Sequence, residues 1–316
     1  MSTRAADAPS LAKDTRGAIY VEFLLCFMPI FMMFLAMVQL SLMYVAHLVV
    51  QHSAYAATRA AIVVVDDDPQ YYENASRDNV NDPGSGPTVL DDRVSNVLNR
   101  IGFPLEASPR DAASMFGGNN GNARLGDIRR AAQIPLIAVS PAWGQFTRRA
   151  TVARAVGGGA ASRATLGALF YSRVAVGVTF PTRPGARTYR TSFGGAETIT
   201  VRVTYLFHCA VPIVAEIMCK SIEEIKGGTL PRDLADLAER AASAGDWRLG
   251  AELATRIRNH EGMRSATSVS ELDAAQDPWA LWILGYATNA RFKLLRAEAT
   301  LPIQRANYRY QSEGSR

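Results

Sequence analysis

Residues 23–58 contain no Asp, Glu, Lys or Arg. The strongest part, residues 23–50, has only Gln39, Ser41 and His47 as polar interruptions, and it exceeds the roughly 20 residues a helix needs to cross a bilayer. Such a run is confined to a spanning helix, because lipid offers the backbone no other hydrogen-bond partners. Pro29 is expected to loosen that helix locally. A cleaved secretory signal fits poorly, since the apolar core is about twice the usual 7–15 residues. Ala54-Tyr55-Ala56 has the small-x-small form of a cleavage site but lies too far from the leader. Arg4, Lys13 and Arg16 precede the run, against Asp7 and Asp14, and the next basic residue is Arg59. The excess of basic residues places the first residues in the cytoplasm and the bulk of the chain outside.

The helix is expected to outrun the membrane. Val49, Val50, Ser53, Ala54, Ala57, Ala60 and Ala61 form a small, apolar stripe. Asp66-Asp67-Asp68-Pro69 then ends it, because a proline disfavours helical geometry in the residue before it. A helix over residues 18–65 would be about 70 Å long at 1.5 Å per residue, so its later part must pack on the domain that follows. Glu22 is the only charged residue between Arg16 and Arg59. A lone carboxylate at the mouth of a membrane helix costs on the order of a few kcal/mol unless it is paired or reaches water.

Arg16-Gly17-Ala18-Ile19-Tyr20-Val21-Glu22-Phe23 resembles the processing signal of type IV pilins and pseudopilins. With Pro29 and the Ala-Ala-Thr-Arg-Ala-Ala block at 56–61, it is similar to the TadE family of the tight-adherence (Flp) pilus system. The resemblance is strong over residues 16–62 and weaker over 199–219 and 298–310. It implies cleavage after Gly17 by an inner-membrane prepilin peptidase, giving a mature chain that starts at Ala18. Glu22 becomes the fifth mature residue, and its carboxylate pairs with the N-terminal amine of a neighbouring subunit. The implied partners are the peptidase, the Flp major pilin, sibling minor pilins and the inner-membrane assembly platform with its ATPase. The 17-residue leader carries two acids, Asp7 and Asp14, a departure from the cleanest form of the signal.

In the remaining chain, period-two alternation marks strands at 199–207 and 174–180, joined by a Gly/Pro/Arg-rich stretch at 182–195 that suits antiparallel pairing. Each is expected to be half-buried. Further strands are expected at 292–298 and 306–310, with Pro302 marking a bulge, edge or turn. Helical spacing appears at 89–101, 123–132, 230–242 and 247–258, the last two forming a hairpin about Gly245. Residues 66–122 otherwise read as loop, and Gly157-Gly158-Gly159 as a break. The expected class is α+β: a leader at 1–17, a long helix at 18–65 that spans the membrane in its first half, and an extracytoplasmic domain with an antiparallel sheet at 66–316.

The 316 residues are 48% apolar with a net charge of +5 spread thinly, so a core can form and nothing resembles a phosphate-tracking basic cluster. The chain contains no nucleophile elbow, P-loop, dinucleotide fingerprint or HExxH. An enzyme, a cofactor and a nucleic-acid partner are therefore not expected. His47 and His52 are five apart, a poor spacing for ligands on one helix face. Asp66–Asp68 could hold calcium but lacks the EF-hand spacing, and a solvated helix end is the simpler reading. Trp279, Trp282, Ile283 and Tyr286 make an aromatic stripe suited to core packing. Cys209 and Cys219 are expected to pair outside the cytoplasm, bracing the apolar segment between them. Cys26 is expected to be a small apolar residue buried in the helix. The competing reading is a single-pass inner-membrane protein with an exported binding domain that never enters a filament.

Overall fold

The computed structural model describes residues 16–72, 74–80, 122–141, 168, 171–172, 175–211, 213–226, 232–244, 252, 256 and 290–304. Expectations for residues 1–15, 89–101, 157–159, 279–286 and 306–310, and for Val174, fall outside them. The 247–258 helix does too, apart from Glu252 and Arg256, which are both helical and joined by an ion pair at 2.5 Å.

Helix α1 (Arg16–Val64) runs unbroken for 49 residues with Pro29 inside it. It stops as its sequence dictates. Asp68, ahead of Pro69, is extended at φ −63° and ψ 127°, and its side chain caps a 3-10 turn, Pro69–Tyr71, by accepting from the Gln70 N–H at 3.2 Å. The carbonyls freed at the end of α1 find a donor in a distant element. Helix α2 (Ala123–Leu136) begins at Asn122, whose Oδ1 accepts from the Leu125 N–H at 3.1 Å. The buried Arg124 guanidinium donates to the carbonyls of Val64, of Asp67 at 2.9 Å and of Ala75 at 3.1 Å. It also lies over the Tyr72 ring, 4.4 Å from its centroid. A cation at a helix C-terminus meets the negative end of the helix dipole. α2 runs past the expected end at 132 and carries Pro135 within its last turn.

Three strands form an antiparallel sheet in the order β1 (Val176–Thr179), β2 (Thr198–His208), β3 (Phe292–Pro302). Val176 pairs with Tyr205 and Thr179 with Arg202; Thr198 pairs with Pro302 and His208 with Phe292. Pro302 closes an edge strand, where its missing N–H interrupts no ladder. The later half of α1 packs on β2, β3 and α2. Ala54, Ala57 and Ala61 of α1 are fully buried in the same core as Ala297 and Ala299, and these small side chains let helix and sheet approach closely. Thr58 Oγ1 donates to Ala54 O at 2.7 Å and reaches Ala299 O at 3.3 Å. Ser53 Oγ donates to Ala132 O of α2 at 2.6 Å.

Strands β1 and β2 are not half-buried, as alternation suggested. Val176–Thr179 is buried throughout, and so is nearly all of β2. The β1–β2 connection turns at Gly185, whose φ of +76° suits glycine, and folds back over the polar face of β2. There Arg202 donates to Glu298 at 2.6 Å, to the Tyr189 hydroxyl at 3.1 Å and to Ala186 O at 2.7 Å. The charged side chain is thus buried with its partners supplied.

Beyond β2, α3 (Val214–Met218) sits inside the cysteine-bounded segment, followed by α4 (Ile222–Lys226) and α5 (Arg232–Ala244). α5 buries Leu234 and Leu237 three residues apart, as the sequence spacing implies. Residues 74–80 are turns that dock on the β1–β2 connection, with the Val80 N–H donating to Thr191 O at 3.0 Å and the Phe193 N–H to Asp78 O at 2.7 Å.

Candidate membrane and assembly site

Between residues 20 and 38 no side chain of α1 is buried. Tyr20 is 73% exposed and Leu25 71%, although nearly every residue here is apolar. Phe23, Phe27 and Phe31 stack along one face at 5.5 and 5.6 Å between ring centroids. This bare segment is about 28 Å long at 1.5 Å per residue, against about 30 Å for a bilayer's hydrocarbon core. α1 is long and apolar enough to cross a membrane. Cys26, expected inside the helix packing, is instead exposed on this segment, because the domain does not reach it.

The domain's grip begins at Gln39, the first fully buried residue among the described side chains of α1. Its Oε1 accepts from the Val211 N–H at 3.2 Å. Beyond it the helix has two faces. One, through Ala46, Val50, Ser53, Ala54, Ala57 and Ala61, enters the core as its stripe predicts. The other exposes Leu40, Tyr44, Val45, Leu48 and Tyr55. Such an apolar face has the chemistry of a helix-packing surface.

Gly17 and Ala18 lie in the first turn of α1, and Glu22 follows about one turn later, exposed. His47 is half-buried beside Gln51, with 3.2 Å between its Nε2 and the amide nitrogen, and His52 is exposed. The two histidines do not come together. Asp67 accepts from the Tyr72 hydroxyl at 3.1 Å and from the Asp68 N–H at 2.8 Å. Burial and this bond push Tyr72 up to about 12. The acidic run therefore finishes the helix, and among the described residues no group of three His, Cys, Asp or Glu side chains is arranged to hold a metal.

Cys209 and Cys219 are joined in a disulfide, with 6.6 Å between their Cα atoms. The closed segment hangs from the end of the sheet. The Cys209 N–H donates to Arg291 O at 2.9 Å, and Lys220 exchanges two backbone bonds with Phe292, at 2.9 and 2.8 Å. His208, at the same end, packs edge-on to Phe292 at 6.0 Å, and burial lowers its pKa to about 4. Sequence reasoning gave no role to Gln39, Arg124 or His208. Gln39 alone carried a visible sign, as one of three polar residues in the strongest part of the apolar run.

No curated protein and no solved structure matches the chain significantly. Residues 17–59, from Gly17 through Glu22 and Gln39 to Arg59, match the family model described as TadE-like protein, so over that helix the chain is similar to TadE-like proteins.

Proposed function

We propose that this chain is a minor pilin or pseudopilin, a structural and non-enzymatic part of a Tad/Flp pilus that acts in its biogenesis or in a tip or initiation complex. The observation that carries this reading is the position of the TadE match. It falls on the helix whose first half projects bare from the domain, and it holds Gly17, Ala18 and Glu22 together at its start.

A prepilin peptidase cuts after Gly17, where the absent side chain leaves room in the enzyme's cleft. Before the cut, α1 has no acidic residue in its first turn. Afterwards Ala18 carries a free amine, cationic near pH 7, and Glu22 stands as the fifth residue, close to the positive end of the helix dipole. In an assembled bundle the carboxylate meets the amine of a neighbouring subunit, which lowers the cost of holding it away from water and sets the register between helices. Until assembly, the bare segment holds the protein in the inner membrane with its N-terminus in the cytoplasm and its domain in the periplasm. The basic flank and the Cys209–Cys219 disulfide support that orientation. The Leu40, Tyr44, Val45 and Leu48 face is then available to the major pilin and sibling minor pilins, with the platform and its ATPase driving insertion.

Mass determination of the mature N-terminus, in cells with and without the prepilin peptidase, tests this reading. The expected result is a start at Ala18 only when the peptidase is present. An uncut start in both strains would leave the single-pass membrane anchor as the correct reading.

A further inference from the structure

The cysteine-bounded segment has a second apolar surface that the domain's own core does not use. Val211, Val214 and Ala215 are buried, whereas Ile213 is 53% exposed and Ile217 is 74% exposed. Ile213 is the N-cap of the single turn of α3, and Ile217 lies within that turn. Their height relative to α1 is fixed by one bond, because Val211, two residues before Ile213, donates its N–H to Gln39 at 3.2 Å. Gln39 is also where the bare, bilayer-length part of α1 ends. If residues 20–38 fill the hydrocarbon layer, its outer boundary falls at Gln39, and the loop lies at that boundary. The disulfide and the two Lys220–Phe292 backbone bonds hold the loop in place.

From this placement we infer that the 209–219 loop is a membrane-interface anchor, which seats Ile213 and Ile217 among the headgroups and upper acyl chains of the bilayer that α1 crosses. The inference rests on the membrane-spanning reading of α1. The short helix α3 packs beside α1, and a phospholipid interface rewards burial of apolar side chains at this depth. Lys220 and Lys293 are exposed at the sheet end from which the loop hangs, suitably placed for anionic headgroups. Glu216, exposed within α3 next to Ile217, limits the loop to headgroup depth, where its carboxylate stays hydrated. The loop thereby sets the tilt of the domain against the membrane, with two contacts in place of one.

The test uses the full chain with dansylalanine replacing Ile217, reconstituted in phosphatidylcholine–phosphatidylglycerol vesicles that carry nitroxide lipids labelled at shallow or deep positions. Phe27 and Arg187 serve as the deep and the aqueous reference sites, and mass mapping without reductant checks that the disulfide is intact. At 217 the expected result is blue-shifted emission, quenched at least two-fold by the shallow label. Strong quenching by the deep label is expected at 27, and none at 187. Quenching at 27 without quenching at 217 overturns the anchor and leaves the membrane span standing. Blue-shifted but unquenched emission at 217 means that a protein, such as a second copy, covers the loop, and this also overturns it. An unquenched label at 27 overturns the span and the anchor together.

Discussion

At the residue scale, two buried groups show how far side-chain chemistry can lie from anything a sequence displays. Arg124 supplies three hydrogen bonds around the end of a helix that stops at Val64, sixty residues earlier in the chain. Nothing in the local pattern around 124 marks it, because its value depends on carbonyls that only the folded chain brings near. Burial also lowers the pKa of this guanidinium, and its ring contact with Tyr72 and the carbonyls around it offset that cost. His208 is the titrating counterpart. Burial lowers its pKa from 6.5 to about 4, so the unfolded chain takes up the proton first as pH falls. Its contribution to stability is therefore complete above pH 6.5, declines as pH falls from 6.5 toward 4, and levels off below. The full loss is about 3 kcal/mol at 1.36 kcal/mol per pKa unit. Denaturant unfolding of the wild type and of His208→Gln across pH 4–7 should show a shallower acid decline in the variant. Parallel curves would mean that the imidazole is not held neutral.

At the element scale, α1 was the most legible part of the molecule and the sheet was legible by halves. The absence of charge from 23 to 58 and the Asp-Pro stop gave α1 nearly its observed ends. The strands appeared through period two, yet burial of both faces did not. Arg202 and the threonines of β2 read as a solvent face, and only the returning connection with Tyr189, together with Glu298 of β3, makes that face an interior. The two faces of α1 can be separated by substitution. Ala57 is fully buried in the core that includes Ala297, so Ala57→Leu overfills a tight helix–sheet contact and should cost about 1–3 kcal/mol of domain stability. Tyr44 is 65% exposed. Tyr44→Ser should leave stability within about 0.5 kcal/mol while reducing the amount of protein recovered with partner pilins. Equal stability losses at the two positions in denaturant titrations would contradict the assigned faces.

At the scale of the whole molecule, α1 belongs to two environments, and the division between them falls at one residue. Before Gln39 every described side chain of the helix is at least partly exposed; from Gln39 onward one stripe is part of the core. The segment 20–38 should thus contribute membrane attachment and little to the stability of the domain. A chain that starts at Gln39 keeps the Gln39–Val211 bond, the Ala46–Val65 packing and the Cys209–Cys219 disulfide. It should unfold cooperatively, retain the disulfide by mass mapping and leave the membrane fraction for the soluble one. Its remaining apolar face, Leu40, Tyr44, Val45 and Leu48, should make it associate as concentration rises, since removing the bare segment does nothing to cover that face. Sedimentation at increasing concentration and circular-dichroism melting measure both properties. A truncated chain with no cooperative transition would mean that the bare half of the helix supports the fold, which its exposed side chains contradict. Continued membrane association of the folded truncation would instead indicate that the exposed Ile213 and Ile217 bind lipid strongly enough on their own.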